Sequence, residues 1–169
     1  VNAAGLYVLN HVLPAAATLL PPQMDSAPAR AMLVSIALQE SGFKHRRQVA
    51  GYATDGSRAF GPARGWWQFE MGGVEGVLEH HASRPSALAL LDVLGYGRSA
   101  REVHLAIEHN DVLACCFARL LLWTDARMLP QDATKSPDGW LQYLSTWNPG
   151  RPHASTWARN FADGWQAVA

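Results

Sequence analysis

Ten prolines and fourteen glycines cut this 169-residue chain into short segments, and capping residues flank many of the cuts. Such punctuation constrains the fold strongly, because it dictates where helices start and stop. Ser26 followed by Pro28 reads as a cap with proline in the first turn, so a helix is expected through Glu40 to a stop at Gly42. Its apolar stripe runs Ala29, Leu33, Ile36 at helical spacing and continues to Glu40, so a carboxylate ends the core-facing stripe. Shorter helices are expected from Val74 to His81 and from Pro85 to Leu94. Asn110 can cap the longest helix, Asp111 to Met128, with Pro130 beyond its end. Ser136-Pro137 opens another helix, which stops at Asn148-Pro149-Gly150, and Ser155 or Thr156 starts the last. Between Gln48 and Gly65 turn signals dominate, and a small β-hairpin is expected around Asp55-Gly56. No repeats, linkers or low-complexity tracts interrupt the pattern. It reads as one mainly α domain, residues 1–169, with one irregular β-containing segment.

Residues 1–25 read as an N-terminal helical extension. The apolar run Leu6 to Leu20 is broken by Asn10, His11 and Pro14. It is too short and too polar for a membrane span, and it has no basic start or small-residue cleavage site. A core helix kinked or split by Pro14 is expected, with any export arranged by something outside this sequence. Fourteen basic residues balance fourteen acidic ones. A chain of zero net charge lacks the basic footprint that general nucleic-acid binding needs. Cys115 and Cys116 are adjacent, so no ordinary disulfide follows, and both read as small core residues. His80-His81 and His104 to His109 lack metal-ligand spacing; no metal and no cofactor is expected.

Glu40 has a physical claim to chemistry. General acid catalysis near neutral pH needs a carboxylic acid still protonated there, and burial at the end of an apolar stripe is one way to keep it so. Only six Glu occur in the chain. The competing reading is a helix-end Glu held by Lys44, Arg46 or Arg47, although an acid there opposes the helix dipole.

Four stretches occur in order: Ala37-Leu-Gln-Glu-Ser41, Gly61-Pro-Ala-Arg-Gly-Trp-Trp-Gln-Phe69, Asn110 with the helix behind it, and Thr146-Trp-Asn-Pro-Gly150. Together they resemble the soluble lytic transglycosylase and goose-type lysozyme group of the lysozyme superfamily, over about residues 26–165, and look most like small phage-encoded members. The resemblance implies an α+β lysozyme-like fold in which the hairpin flanks a substrate cleft. The usual Ala-Tyr-Asn is Thr146-Trp147-Asn148 here, with Pro149 before the Gly, and the usual Met before the Gln is Trp67.

The resemblance makes Glu40 the catalytic acid. It makes Ser41, Gln68 and Asn148 candidate substrate contacts, each with a plainer alternative: a helix-end cap, a loop-pinning amide and an ordinary turn. Trp66, Trp67 and Trp147 offer faces for pyranose rings or, equally, core packing. A second carboxylate would be Asp55 or Glu70, though Asp55 is already explained by its turn. The implied activity is lytic transglycosylation of peptidoglycan glycan strands, cleaving between N-acetylmuramic acid and N-acetylglucosamine with a 1,6-anhydro product. It would act at the bacterial cell wall, carried in a phage particle with other virion proteins or released at lysis. Two alternatives stand beside it: a muramidase that admits water, and a virion or sugar-binding module without turnover.

Overall fold

The computed structural model describes all residues 1–169 and is mainly helical with one small antiparallel sheet. α1 (Ala3–Tyr7), a π-helical turn (Val8–Val12) and α2 (Leu13–Leu19) form the N-terminal segment. The chain stays helical through Pro14, but a π-helical turn divides the segment just ahead of it. Proline has no N–H, and its ring crowds the carbonyl four residues back; the preceding turn widens so that Leu13 N–H reaches Val8 O. The segment lies on the core through Val8, Val12, Leu13 and Ala16, all buried.

α3 (Ala27–Glu40) starts as expected: Ser26 Oγ accepts from Ala29 N at 3.2 Å and Pro28 sits in the first turn. Its expected stripe is corrected. Ala29 and the whole run Ala31 to Ala37 are buried, so the helix is enclosed on every side. α7 (Asp111–Trp123) is the second enclosed helix, capped by Asn110 Oδ1 on Leu113 N at 2.9 Å. It ends five residues before Met128 and is not the longest, because Thr124 Oγ1 bonds back to Leu121 O and the Asp125–Arg127 turn follows.

β1 (Arg47–Tyr52) and β2 (Arg58–Arg64) form the hairpin, with Gly56 at φ 79° in the turn. Val49 pairs with Phe60 and Tyr52 with Arg58, with register irregularities on both sides of Val49. α4 (Met71–Glu79) starts ahead of the expected Val74, taking Gly72 and Gly73 into its first turn, and ends before His80. α5 (Arg84–Leu94) closes on Gly95 at φ 73°. α6 (Ala100–Ile107) was not anticipated as an element. α8 (Ser136–Trp147) is led in by a 3-10 turn (Ala133–Lys135), so Ser136 is its first residue and not its cap. α9 (Ala154–Val168) crosses α3 closely. A Cβ on Gly164 would sit 2.7 Å from Ala31 O, which is why only glycine fits there. No helix is long and apolar enough to cross a membrane.

Candidate active site at the end of α3

Glu40 is the last residue of α3, and the chain behind it turns sharply. Ser41 caps the helix, then Gly42 and Phe43 take left-handed conformations with φ 56° and 54°. Ser41 Oγ lies 2.8 Å from Trp66 O and 3.1 Å from Ala37 O, and it accepts from Phe43 N at 3.2 Å. Its hydroxyl therefore ties the helix end to the loop that follows the hairpin.

That loop, residues 65–70, is fastened at every step. Gly65 N donates to Arg46 O at 2.6 Å, and Gly65 at φ 72° lies against Ile107, where a Cβ would be 2.9 Å from Cγ2. Trp67 Nε1 donates to Leu33 O of α3 at 2.8 Å, and Trp147 Nε1 donates to Trp67 O at 2.9 Å. Gln68 adopts φ 50° and its Nε2 donates to Gly65 O at 2.7 Å, leaving Oε1 without a donor from the chain. Phe69 pairs with Arg64 in both directions, and buried His104 meets Phe69 O through Nε2 at 2.8 Å.

Tyr143 of α8 donates its hydroxyl to Glu40 Oε1 at 2.6 Å. Burial pushes the Glu40 carboxyl up from its ordinary value to about 7; the Tyr143 hydrogen bond pulls the other way, and the Glu70 charge adds to the rise. The Tyr143 phenol is itself 2% exposed and is pushed up, by burial first and then by the Glu40 charge. No ion pair includes Glu40. Arg46 is bound to Asp111 through two hydrogen bonds of 2.8 and 2.7 Å and lies over the Trp66 ring, while Arg47 lies over Phe60. The reading of Glu40 as a helix-end ion-pair residue is thereby set aside.

The other sequence candidates divide. Trp67 is fully buried and Trp66 is 3% exposed, so neither indole offers a face to a sugar; the expected stacking by Trp67 is corrected to core packing. Trp147 is half-buried, 6.4 Å from Tyr143 and 6.0 Å from Phe69 between ring centroids. Asn148 is exposed and caps α8 at φ 44°, its N–H on Leu144 O. Asp55 is exposed at the hairpin tip, where its Oδ1 accepts from Ser57 N at 2.9 Å and the contacts with Ser57 hold its carboxyl below the usual range. Glu70 is exposed at the head of α4 and bears electrostatically on Glu40. The structure thus brings Glu40, Glu70, Ser41, Gln68 and Trp147 to one region and leaves Asp55 apart.

Tyr143 is the residue that the sequence reading missed. It lies three positions after Trp140 and four before Trp147 on α8, a spacing that places all three on one face. It also stacks on Trp157 of α9 with ring centroids 5.2 Å apart and planes 14° apart. The histidines assemble nothing: His80 and His81 stack on each other, and no cluster of three or more ligating side chains occurs.

No model of a known protein family, no curated protein and no solved structure matches this chain.

Proposed function

We propose that this chain is a lytic transglycosylase acting on peptidoglycan, with Glu40 as its acid and base. The observation that carries the reading is a sheltered carboxyl at the end of α3 with the Tyr143 phenol 2.6 Å away and no cation paired with it, a setting in which burial raises its pKa to about 7. A group so poised is substantially protonated at neutral pH and can deliver its proton to the glycosidic oxygen. As a carboxylate it then takes the proton of the muramoyl 6-hydroxyl, whose oxygen closes on the anomeric carbon and leaves a 1,6-anhydro ring. One carboxylate suffices, because the sugar supplies the nucleophile and its acetamido group shares the developing charge. Gln68 supports this reading through its unbonded Oε1 and Trp147 through its partial exposure. The order and spacing of the four stretches add the resemblance to phage-encoded enzymes, and with it a place of action at the bacterial wall, from a virion or at lysis.

A specific observation favours one second reading. Glu70 is close enough to raise the Glu40 pKa, so it is the candidate base of a muramidase that admits water. Mass spectrometry of digested peptidoglycan separates the two. Anhydro ends, lighter by one water than reducing ends, are expected; reducing ends alone would make the chain a muramidase. Absence of any cleavage by folded protein would leave the non-catalytic sugar-binding module.

A further inference from the structure

We propose that the N-terminal helix is a clamp on the candidate site, in which Asn2 and Gly5 hold the Gly42–Phe43 turn and thereby fix the carboxyl-bearing end of α3. The proposal rests on the reading of Glu40 as the proton donor. Three observations on separate residues meet at this turn.

Asn2 acts in two directions. Its Oδ1 accepts from Gly5 N at 2.9 Å, capping α1, while its Nδ2 donates to Gly42 O and to Phe43 O, each at 3.2 Å. Both carbonyls belong to residues at positive φ, and for Phe43 that backbone is disfavoured by its Cβ. A strained conformation persists only where its surroundings over-determine it. Here Asn2 supplies the outer restraint, and Ser41 Oγ, accepting from Phe43 N, supplies the inner one.

Gly5 supplies the fit. A Cβ there would stand 2.9 Å from Val1 Cβ, 3.0 Å from Phe43 Cδ2 and 3.2 Å from Cε2, so the bare position lets the helix seat closely against the ring. The Phe43 ring is 2% exposed and meets Trp66 edge-on at 6.0 Å. Trp66 O in turn faces the Ser41 hydroxyl. Pressure from α1 is thus passed through Phe43 to Trp66 and to the residue next to Glu40. The ionisable groups facing Glu40 are Tyr143 from α8 and Glu70 from the head of α4; α1 contributes none, so its influence is one of shape and water exclusion.

Two substitutions isolate the clamp. Asn2→Ser keeps an oxygen to cap α1 and removes the amide that holds the turn. Gly5→Ala favours the helix itself and sets a methyl against Val1 Cβ and the Phe43 ring, which must give to admit it. Each is compared with Leu6→Ala, a control on the exposed side of the same helix. Two measurements need no substrate: amide hydrogen exchange at Gly42, Phe43 and Lys44, and titration of the Glu40 carboxyl carbon by NMR.

Loosening of the turn should speed exchange roughly tenfold or more in Asn2→Ser and Gly5→Ala and leave Leu6→Ala at the parent rate. Water admitted to the helix end should lower the Glu40 midpoint by about half a pH unit or more. On peptidoglycan, kcat should fall with KM held, and the alkaline limb of the pH profile should move down with the titration. Parent-like exchange and parent-like Glu40 titration in Asn2→Ser overturn the clamp, whatever Gly5→Ala does. A parent that cuts no peptidoglycan overturns the proposed activity instead, and the two substrate-free measurements still decide the clamp.

Discussion

Two helix ends near one loop each carry a carboxyl sheltered from water, and they are built in opposite ways. Asp111 opens α7, where the positive end of the helix dipole welcomes an anion, and Arg46 grips it with two hydrogen bonds. Glu40 closes α3, where the dipole is unfavourable to an anion, and it has only the phenol of Tyr143. The loop that leaves Glu40 carries Arg46 away from it and across to α7. An acid gripped by a cation through two hydrogen bonds fastens structure. Its neighbour, denied that cation, keeps its proton into the neutral range.

The largest effect should come from Glu40→Gln, which keeps shape and removes the transferable proton. Activity on peptidoglycan should drop on the order of 10²–10⁴-fold with thermal unfolding still cooperative. Near-parent turnover would place the chemistry elsewhere and dissolve the contrast between the two helix ends.

The pH dependence of stability comes next. The folded-state pKa of Glu40 is raised from 4.5 to about 7, so the folded form holds its proton longer than the unfolded one. Below pH 4.5 both forms hold the proton and the stability this lends the folded form is fully present. As pH rises from there through 7, stability is lost, by about 3 kcal/mol in total. Urea titrations of the parent and of Glu40→Gln between pH 4 and 9 should diverge by that amount, the variant lacking the loss.

Arg46→Ala attacks the other helix end. It leaves the Asp111 carboxylate sheltered without its partner, at a cost of about 1–2 kcal/mol; the Arg46 side chain is 44% exposed, which discounts the figure for a fully buried pair. Thermal unfolding should show the loss at neutral pH, whereas the Glu40 titration is governed by burial and Tyr143 and should stay within the parent's range.

Tyr143→Phe sharpens the contrast by a smaller step. Its hydroxyl favours the charged form of Glu40, so removing it should raise the Glu40 midpoint by about one pH unit. The alkaline limb of activity should move up with it, and turnover at pH 6 should remain within tenfold. A downward shift would reverse the role given to the phenol. Glu70→Gln and Asp55→Asn should matter least, each within roughly tenfold of the parent, about 1.4 kcal/mol of barrier. Product masses tell whether anhydro ends persist. Glu70→Gln alone should nudge the Glu40 midpoint down, since its charge is one cause of the rise.

What was readable in the sequence follows the range of the interaction responsible. Ser26 and Pro28 start α3 by chemistry within three residues, Asp55-Gly56 turns the hairpin within four, and both were legible. So was the placement of Glu40 where a core helix meets loop. The fate of Trp67 was not, because it is decided by a bond to Leu33 O, 34 residues away. Tyr143 was passed over for the same reason: its partner lies 103 residues off, and within its own helix it looks like one more aromatic. α6 is only eight residues long and hides between Gly97 and Asn110. α7 stops early through a Thr124 back-bond and an Asp125 turn that proline-and-glycine punctuation does not announce.

The stack of Tyr143 on Trp157 has an optical consequence. Two aromatic rings held 5.2 Å apart and nearly parallel share their electronic transitions, and rigid pairs of this kind give strong, sign-structured bands in near-ultraviolet circular dichroism. Trp140, 5.3 Å from Tyr143 and 5.6 Å from Trp157, joins the same array. Because the phenol at its centre is bonded to the Glu40 carboxyl, gain or loss of that one proton perturbs the chromophore directly. Near-ultraviolet circular dichroism of the unlabelled protein is therefore expected to follow the charge on Glu40.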